Sequence, residues 1–167
     1  GDPGPGAILD AVRFATRLLL GSACWRDDIQ ALLARLRQAA GADRALVFER
    51  LSHDGSDDRV IARYCSFAPG AKGPVDAMGQ PSPHKPREVS PSVKDRFARG
   101  QAAIDHLSAV PEPQRRRMIE AGIRSGLGVP IMLGGDWWGS LSFGMVSAER
   151  DWDDRTATAM AIVADTL

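Results

Sequence analysis

Two cysteines, three histidines and a pair of alternating serines are the residues of this chain whose types could carry chemistry. Cys24 stands beside Trp25, and Cys65 between Tyr64 and Ser66, far away in sequence. With no C-x-x-C pair and no Cys/His cluster, no zinc or other metal site is expected. His53, His84 and His106 are scattered, and none has a serine or cysteine beside it with a nucleophile's local signature. Asp151, Asp153 and Asp154 lack the glycine and terminal glutamate of a calcium loop, and helix capping explains them better. Arg115, Arg116 and Arg117 read as the solvated face of a helix, from which one could instead reach an anionic ligand. No Ser/His/Asp set, phosphate loop or carboxylate pair can be assembled. The expectation is a chain with no catalytic residue and no cofactor, and thus not an enzyme.

Ser140 and Ser142 are different, because of what stands between them. They lie in "IRSGLGVPIMLGGDWWGSLSFGMV" (123–146), which reads as a β-hairpin turning at Gly134-Gly135-Asp136. Strand residues alternate between faces. Trp137, Gly139, Leu141, Phe143 and Met145 then share an apolar face expected under helices, and Trp138, Ser140, Ser142, Gly144 and Val146 share the other. Small side chains under a covering segment leave volume, and hydroxyls both donate and accept. Ser140 and Ser142 are thus candidates for a pocket floor. A close-packed helix or a wet sheet face would explain small residues equally well. Phe48, Tyr64 and Phe67 from an earlier hairpin, and Phe97, Ile104 and Met118 from the middle of the chain, are the other candidate ligand contacts. Each of these, like Ile119, also suits a plain core position.

The elements that must position them follow from periodicity. Ile8, Val12, Ala15 and Leu19 mark a helix over 7–20. Ile29, Leu32, Leu33, Leu36 and Ala40 mark an amphipathic helix over 27–40, capped by Asp27 or Asp28 and stopped at Gly41. Strands over 43–51 and 59–68 flank the turn cluster "HDGSDD". Residues 69–91 are rich in proline and glycine and read as a long loop or lid. A short helix (92–99), a short strand (101–105) and a helix (111–122) ending at Gly122 follow. After the second hairpin comes a last helix (153–167), with Asp153 as N-cap and Trp152 as staple. This order predicts an α+β domain. Its central antiparallel sheet of about six strands has the N- and C-terminal helices on one face and the 69–122 segment, as a lid, on the other.

Composition narrows the function classes. Lys plus Arg and Asp plus Glu are 21 each, so the net charge is zero. Nothing electrostatic favours nucleic acid or an anionic membrane surface. No apolar run reaches the roughly 20 residues of a membrane span, and no signal-peptide pattern is seen. Two dispersed cysteines suit a reducing, cytoplasmic setting. Residues 1–6 ("GDPGPG") read as linker, and 7–167 as one domain.

The stretch from Ile104 onward resembles the second half of a GAF domain of the bacterial sensor histidine kinase and diguanylate cyclase type. The matching features are a helix ending "EAGIRS", then "VPI", a glycine turn, "WWG.L.F", and "ER.W" before the last helix. "LLLGSACWRDDIQALLARLRQAAGADRALVFE" is similar to the family's paired helices leading into the first strand. The resemblance implies a sensory module that binds an unidentified small molecule under the middle segment and controls a separate kinase or cyclase output domain. It also implies, as the alternative, a ligand-free module that forms a homodimer through its terminal helices. The alanine stripe of the last helix (Ala157, Ala161, Ala164) would permit close helix approach. Chromophore and enzyme branches of the family fit poorly. Neither cysteine has the context of a bilin attachment site, and two cysteines do not supply a sulfoxide reductase. The phosphodiesterase cyclic-nucleotide pattern is absent, and His106 reads as an exposed residue rather than a haem ligand.

Overall fold

The computed structural model describes residues 5–21, 25–71 and 86–166. Five strands form one antiparallel sheet in the order β2-β1-β5-β4-β3. They are β1 (Arg44–Arg50), β2 (Val60–Phe67), β3 (Ala103–His106), β4 (Ser125–Leu133) and β5 (Asp136–Met145). The helices are α1 (Pro5–Gly21), α2 (Trp25–Ala40), α3 (Pro91–Ala98), α4 (Gln114–Ala121) and α5 (Asp154–Thr166). Among the described residues the sheet thus has five strands, not about six. The sixth place is marked by a single bridge, in which Val60 and Arg87 exchange backbone hydrogen bonds of 2.9 and 2.8 Å.

One face of the sheet carries the main core. Ile29, Leu32, Leu33 and Leu36 of α2 and Met160 and Val163 of α5 are buried against Val47, Leu127, Val129, Leu141 and Phe143. The i, i+3, i+4, i+7 spacing of the α2 leucines is what makes this stripe continuous. α1 packs outside α2 and α5, inserting Ala11 and Ala15. Ala157, Ala161 and Ala164 pack into this same core, so the small-residue stripe of α5 is occupied within the chain itself. α2 begins at Trp25, so Asp27 and Asp28 lie within its first turn rather than capping it.

Local signals set most boundaries. Gly134 and Gly135 both have positive φ (60° and 86°), the two-residue hairpin turn whose twist matches the flanking strands. Gly122 ends α4 in the left-handed conformation. Asp153 accepts from the Thr156 backbone N–H at 2.7 Å and caps α5. Trp152 beside it is buried in the core.

Asp43 ties the start of β1 to the end of β5. Its Oδ2 accepts from the backbone N–H groups of Val146 (2.7 Å) and Ser147 (3.0 Å) and from the Ser147 hydroxyl (2.9 Å). Burial alone would raise its pKa, but these bonds and the charge of Arg37 outweigh burial and hold it below the ordinary 3.8. A carboxylate depressed in the folded state stabilises above its unfolded pKa and loses that contribution as pH falls through the folded value. Asp43→Ala is therefore expected to cost about 1–2 kcal/mol at neutral pH. That difference should shrink at an acid pH well below 3.8. Urea unfolding at both pH values checks this, and an equal loss at both would refute the charged anchor.

Candidate functional site

The second face of the sheet is built from small residues. β4 and β5 pair there as Gly126–Gly144, Gly128–Ser142 and Pro130–Ser140. The β1 partners of Gly144, Ser142 and Ser140 are Arg44, Leu46 and Phe48, and β3 adds Asp105 opposite Gly126 and Ala103 opposite Gly128. Three rows of short side chains thus cross the middle of the sheet, with larger groups only at their ends. α3, α4 and the segment around Arg87 stand over this floor. They border an open cavity of about 480 Å³, within the range of small-molecule sites.

α3 is docked by one ring. Ser90 caps it by accepting from the Val93 N–H, and Phe97 turns inward. The Phe97 ring lies 5.7 Å from that of Trp137, tilted by 56°. Its Cζ also sits 2.8 Å from where a Cβ on Gly128 would be. A side chain at 128 would push the ring away, so the glycine is what lets α3 approach. Lys94 pairs with Asp58, which also holds Arg50 at 2.8 Å. Arg50 in turn donates to the Trp137 carbonyl at 3.1 Å, its guanidinium 4.6 Å from the indole centroid. On the other flank, Arg117 of α4 pairs with Glu88 at 2.7 Å, joining α4 to the segment that bears Arg87.

The cavity lining brings together five of the sequence candidates: Phe48, Phe97, Met118, Ser140 and Ser142. The two serine hydroxyls lie 3.3 Å apart. The other three stand elsewhere. Tyr64 packs on the helix-side core. A bulge between Val47 and Phe48 places it there: Val47 faces Tyr64 and Phe48 faces Ala62, leaving Arg63 over. Phe67 shares the cavity's face of the sheet but packs with Leu46, Ala62 and Cys65, outside the lining. Ile104 is 39% exposed, because β3 alternates and gives Ala103 and Asp105 to the cavity instead. Ile119 is 60% exposed beside the buried Met118, so α4 commits only one of its two large apolar side chains.

A second bulge corrects the expected face of Trp137. Ile131 pairs with Gly139 and Met132 with Trp137, so Trp138 is the extra residue. Alternation restarts there. Trp137 joins Phe97, Val60 and Ala103 on the cavity side, and Trp138 packs toward the helix-side core, its ring stacked 6.3 Å from His53.

Sequence reasoning missed Arg44, Arg87, Gly126 and Gly128. The glycines had a readable signal, since "SGLG" alternates as "GSLS" does, but only pairing shows that they share a floor. Arg44 is 1% exposed. Its side chain crosses Gly144, with Cγ 3.3 Å from where a Cβ would be, and Nη2 donates to the carbonyl of Ala121 at the end of α4. Burial first, then the neighbouring charge of Arg87, lowers its pKa to about 10, so it remains a cation at neutral pH. Burial also lowers Arg87.

Cys65 is buried beside Leu46 and Ala62, and burial pushes its thiol up to about 11 in spite of both arginines. A neutral buried thiol is a poor nucleophile. Native protein treated with iodoacetamide at about pH 8 should leave Cys65 unlabelled, and urea should expose it. Peptide mass spectrometry reads this out directly, and rapid native labelling would overturn the assignment. Cys24 and His84 lie outside the described residues. His106 lies outside the cavity lining, its Nε2 3.5 Å from Asp151. No group of three or more metal-ligating side chains occurs among the described residues. None of the described helices is long and apolar enough to cross a membrane.

Comparison with known proteins gives this arrangement a family. The chain is 26% identical over 138 residues to the methanogenesis regulatory histidine kinase FilI of Methanothrix harundinacea (strain 6Ac). That match covers 81% of this chain but 15% of the kinase, so the chain spans a small part of that relative's length. Among solved structures, it superposes on the phycoerythrobilin-bound GAF domain of a cyanobacterial phytochrome with a TM-score of 0.77 at 15% identity, covering 95% of this chain and 91% of that one. A far-red absorbing dark state with bound biliverdin gives 0.75 at 17% identity, covering 93% of each chain. At such identities the likeness is one of fold. The GAF domain profile itself matches residues 27–167, from the second helix to the end, and the chain therefore belongs to the GAF domain family.

Proposed function

We propose that the domain is a sensory module that binds a small molecule in the cavity over Ser140 and Ser142 and thereby controls a separate output domain. The observation that carries this reading is the floor itself: a small-residue row under a capped, ring-docked α3, bordering a ligand-sized volume. The domain contributes binding, not catalysis. Its relative supports a histidine kinase, rather than a cyclase, as the output. β5 offers a route for coupling, because Ser140 and Ser142 face the cavity while Leu141 and Phe143 pack under α2 and α5. A ligand acts through that route only by binding one arrangement more tightly than another.

The structural relatives carry bilins. The buried, neutral Cys65 argues against covalent attachment there, so the ligand in this reading is held without a bond. The alternative, a ligand-free module pairing through its terminal helices, has weaker support, since the alanine stripe of α5 is already filled. Exposed Leu9 on α1 and Ile162 on α5 are what remains to favour it.

Native mass spectrometry of the purified chain reports bound small molecules and oligomeric state together, and a metabolite panel followed by thermal shift finds ligands that were lost. Ser142→Leu places four carbons over the floor, where the serine Oγ is 3.6 Å from a Cβ position on Gly128. Binding is expected to fall by about tenfold or more, with the melting temperature of the ligand-free protein changed by no more than a few degrees. Undiminished binding in this variant would move the site out of the cavity.

A further inference from the structure

α4 stands over the cavity but is lightly attached to the rest of the domain. Of its eight residues only Met118 is buried. Gln114, Arg117, Met118 and Ala121 all line the cavity, so an occupant of that space touches this helix. Two of its other ties are polar and lie at the surface. Arg117 pairs with Glu88 at 2.7 Å, and Arg115 donates to the Leu107 carbonyl at 3.1 Å. Exposed pairs of this kind contribute little.

The tie at the end of α4 is different, because it comes from inside the protein. Ala121 carries one of the carbonyls that a helix leaves unpaired at its C-terminus, where partial negative charge collects. The buried guanidinium of Arg44 donates to it. Among the described residues this carbonyl is the one acceptor Arg44 has, and its Nε is buried without a partner. A buried cation loses its last acceptor only at high cost. When the end of α4 shifts, the Arg44 side chain must therefore follow the carbonyl.

That side chain rests on β5. It crosses Gly144, the residue Arg44 pairs with, and its Cγ is 3.3 Å from where a Cβ would stand. Asp43, next in the chain, donates its N–H to the Gly144 carbonyl at 3.0 Å. Its carboxylate accepts from the N–H groups of Val146 and Ser147, which open the segment leading into α5. One dipeptide thus touches the helix over the cavity with one side chain and the approach to the C-terminal helix with the other.

We infer that Arg44 is a positioning residue that couples the cavity to α5. It sets the end of α4 over the cavity, and it passes a displacement of α4 to the end of β5 and the Asp43 anchor. This rests on the reading of the cavity as the ligand site. A backbone route also exists, since the Arg124 N–H after α4 donates to the Met145 carbonyl at 2.8 Å. The two routes are separable by experiment.

The test is amide hydrogen exchange followed by NMR on the intact chain without ligand. Met118→Ala removes the one buried side chain of α4. The Val146 and Ser147 amides should then exchange about threefold or more faster, beyond any change at Leu32 and Leu36, whose amides report global unfolding. Adding Met118→Ala to Arg44→Met should loosen α4 again but leave Val146 and Ser147 at the Arg44→Met rate. Arg44→Lys, which keeps a cationic donor, should restore part of the response. A merely structural Arg44 would change all of these amides together. The Arg44 Nε–H resonance gives a reading that needs no variant at 44, and it should shift in Met118→Ala. Unchanged exchange at Val146 and Ser147 in Met118→Ala, or an unmoved Arg44 resonance, overturns the coupling. An acceleration that survives in Arg44→Met assigns it to the backbone route and overturns the role of Arg44. No ligand enters these measurements, so their failure leaves the cavity reading to the Ser142→Leu binding test.

Discussion

Gly139→Ala is expected to cost at least about 3 kcal/mol and to leave little folded protein. A Cβ at this position would stand 2.0 Å from the Phe48 carbonyl oxygen and 3.1 Å from the Glu49 Cα. Both are backbone atoms of the neighbouring strand, so no side-chain rotation can relieve the overlap. The sheet would have to open between β1 and β5, two of its interior strands. The bulge at Trp138 lies just before this position, where β5 pairs with Glu49 of β1 on one side and Ile131 of β4 on the other. Gly134→Ala is the informative comparison. It changes a glycine of positive φ with open space around it, so only the backbone penalty applies, about 1 kcal/mol or a little more. Chemical denaturation of the two variants would rank them. A Gly139→Ala protein as stable as Gly134→Ala would show that the bulge does not hold the strands this close.

Leu141→Ala is the second large effect. Leu141 is fully buried, flanked by Val47 on β1 and Val129 on β4, under α2 and α5. Removing three carbons from such a site costs about 2–5 kcal/mol, the upper end when the surroundings cannot collapse. Here Leu32, Leu36 and Met160 are themselves fully buried in the same cluster, which limits collapse. For a domain of this size each kcal/mol is about 2–4 °C, so the melting temperature should fall by on the order of 10 °C. Ser142→Ala, one residue along and on the cavity face, should change it by only a degree or two. Thermal unfolding of both tests whether the faces of β5 do different work. A comparable loss from Ser142→Ala would mean that the serine face is packed core rather than a floor.

Much of the frame could be read from periodicity. The α2 leucines recur at helical spacing because a helix over a sheet buries one stripe, and they are the core the structure shows. Gly122 and Gly134-Gly135 punctuate the chain where left-handed backbone is needed, which few residues other than glycine adopt at low cost. The alternation of Ser140 and Ser142 with Leu141 and Phe143 identified the two faces of β5 correctly from 139 onward. It failed at Trp137, because one inserted residue reverses every side chain before it. The same kind of insertion, at Arg63, sent Tyr64 to the helix side. Bulges have no dependable local signature, since they settle a mismatch between two strands that only pairing creates.

By itself, then, the amino-acid order determined the elements, their sequence along the chain, the helix-covered face and the family resemblance. These depend on short-range spacing, and spacing is written in the chain. Tertiary structure alone decided which small residues meet in one floor, that Phe97 rests on Gly128, and that the Arg44 side chain crosses Gly144 to reach the Ala121 carbonyl at the end of α4. Those facts depend on strand register and on where α3 and α4 come down, contacts between residues far apart in sequence that no local pattern encodes.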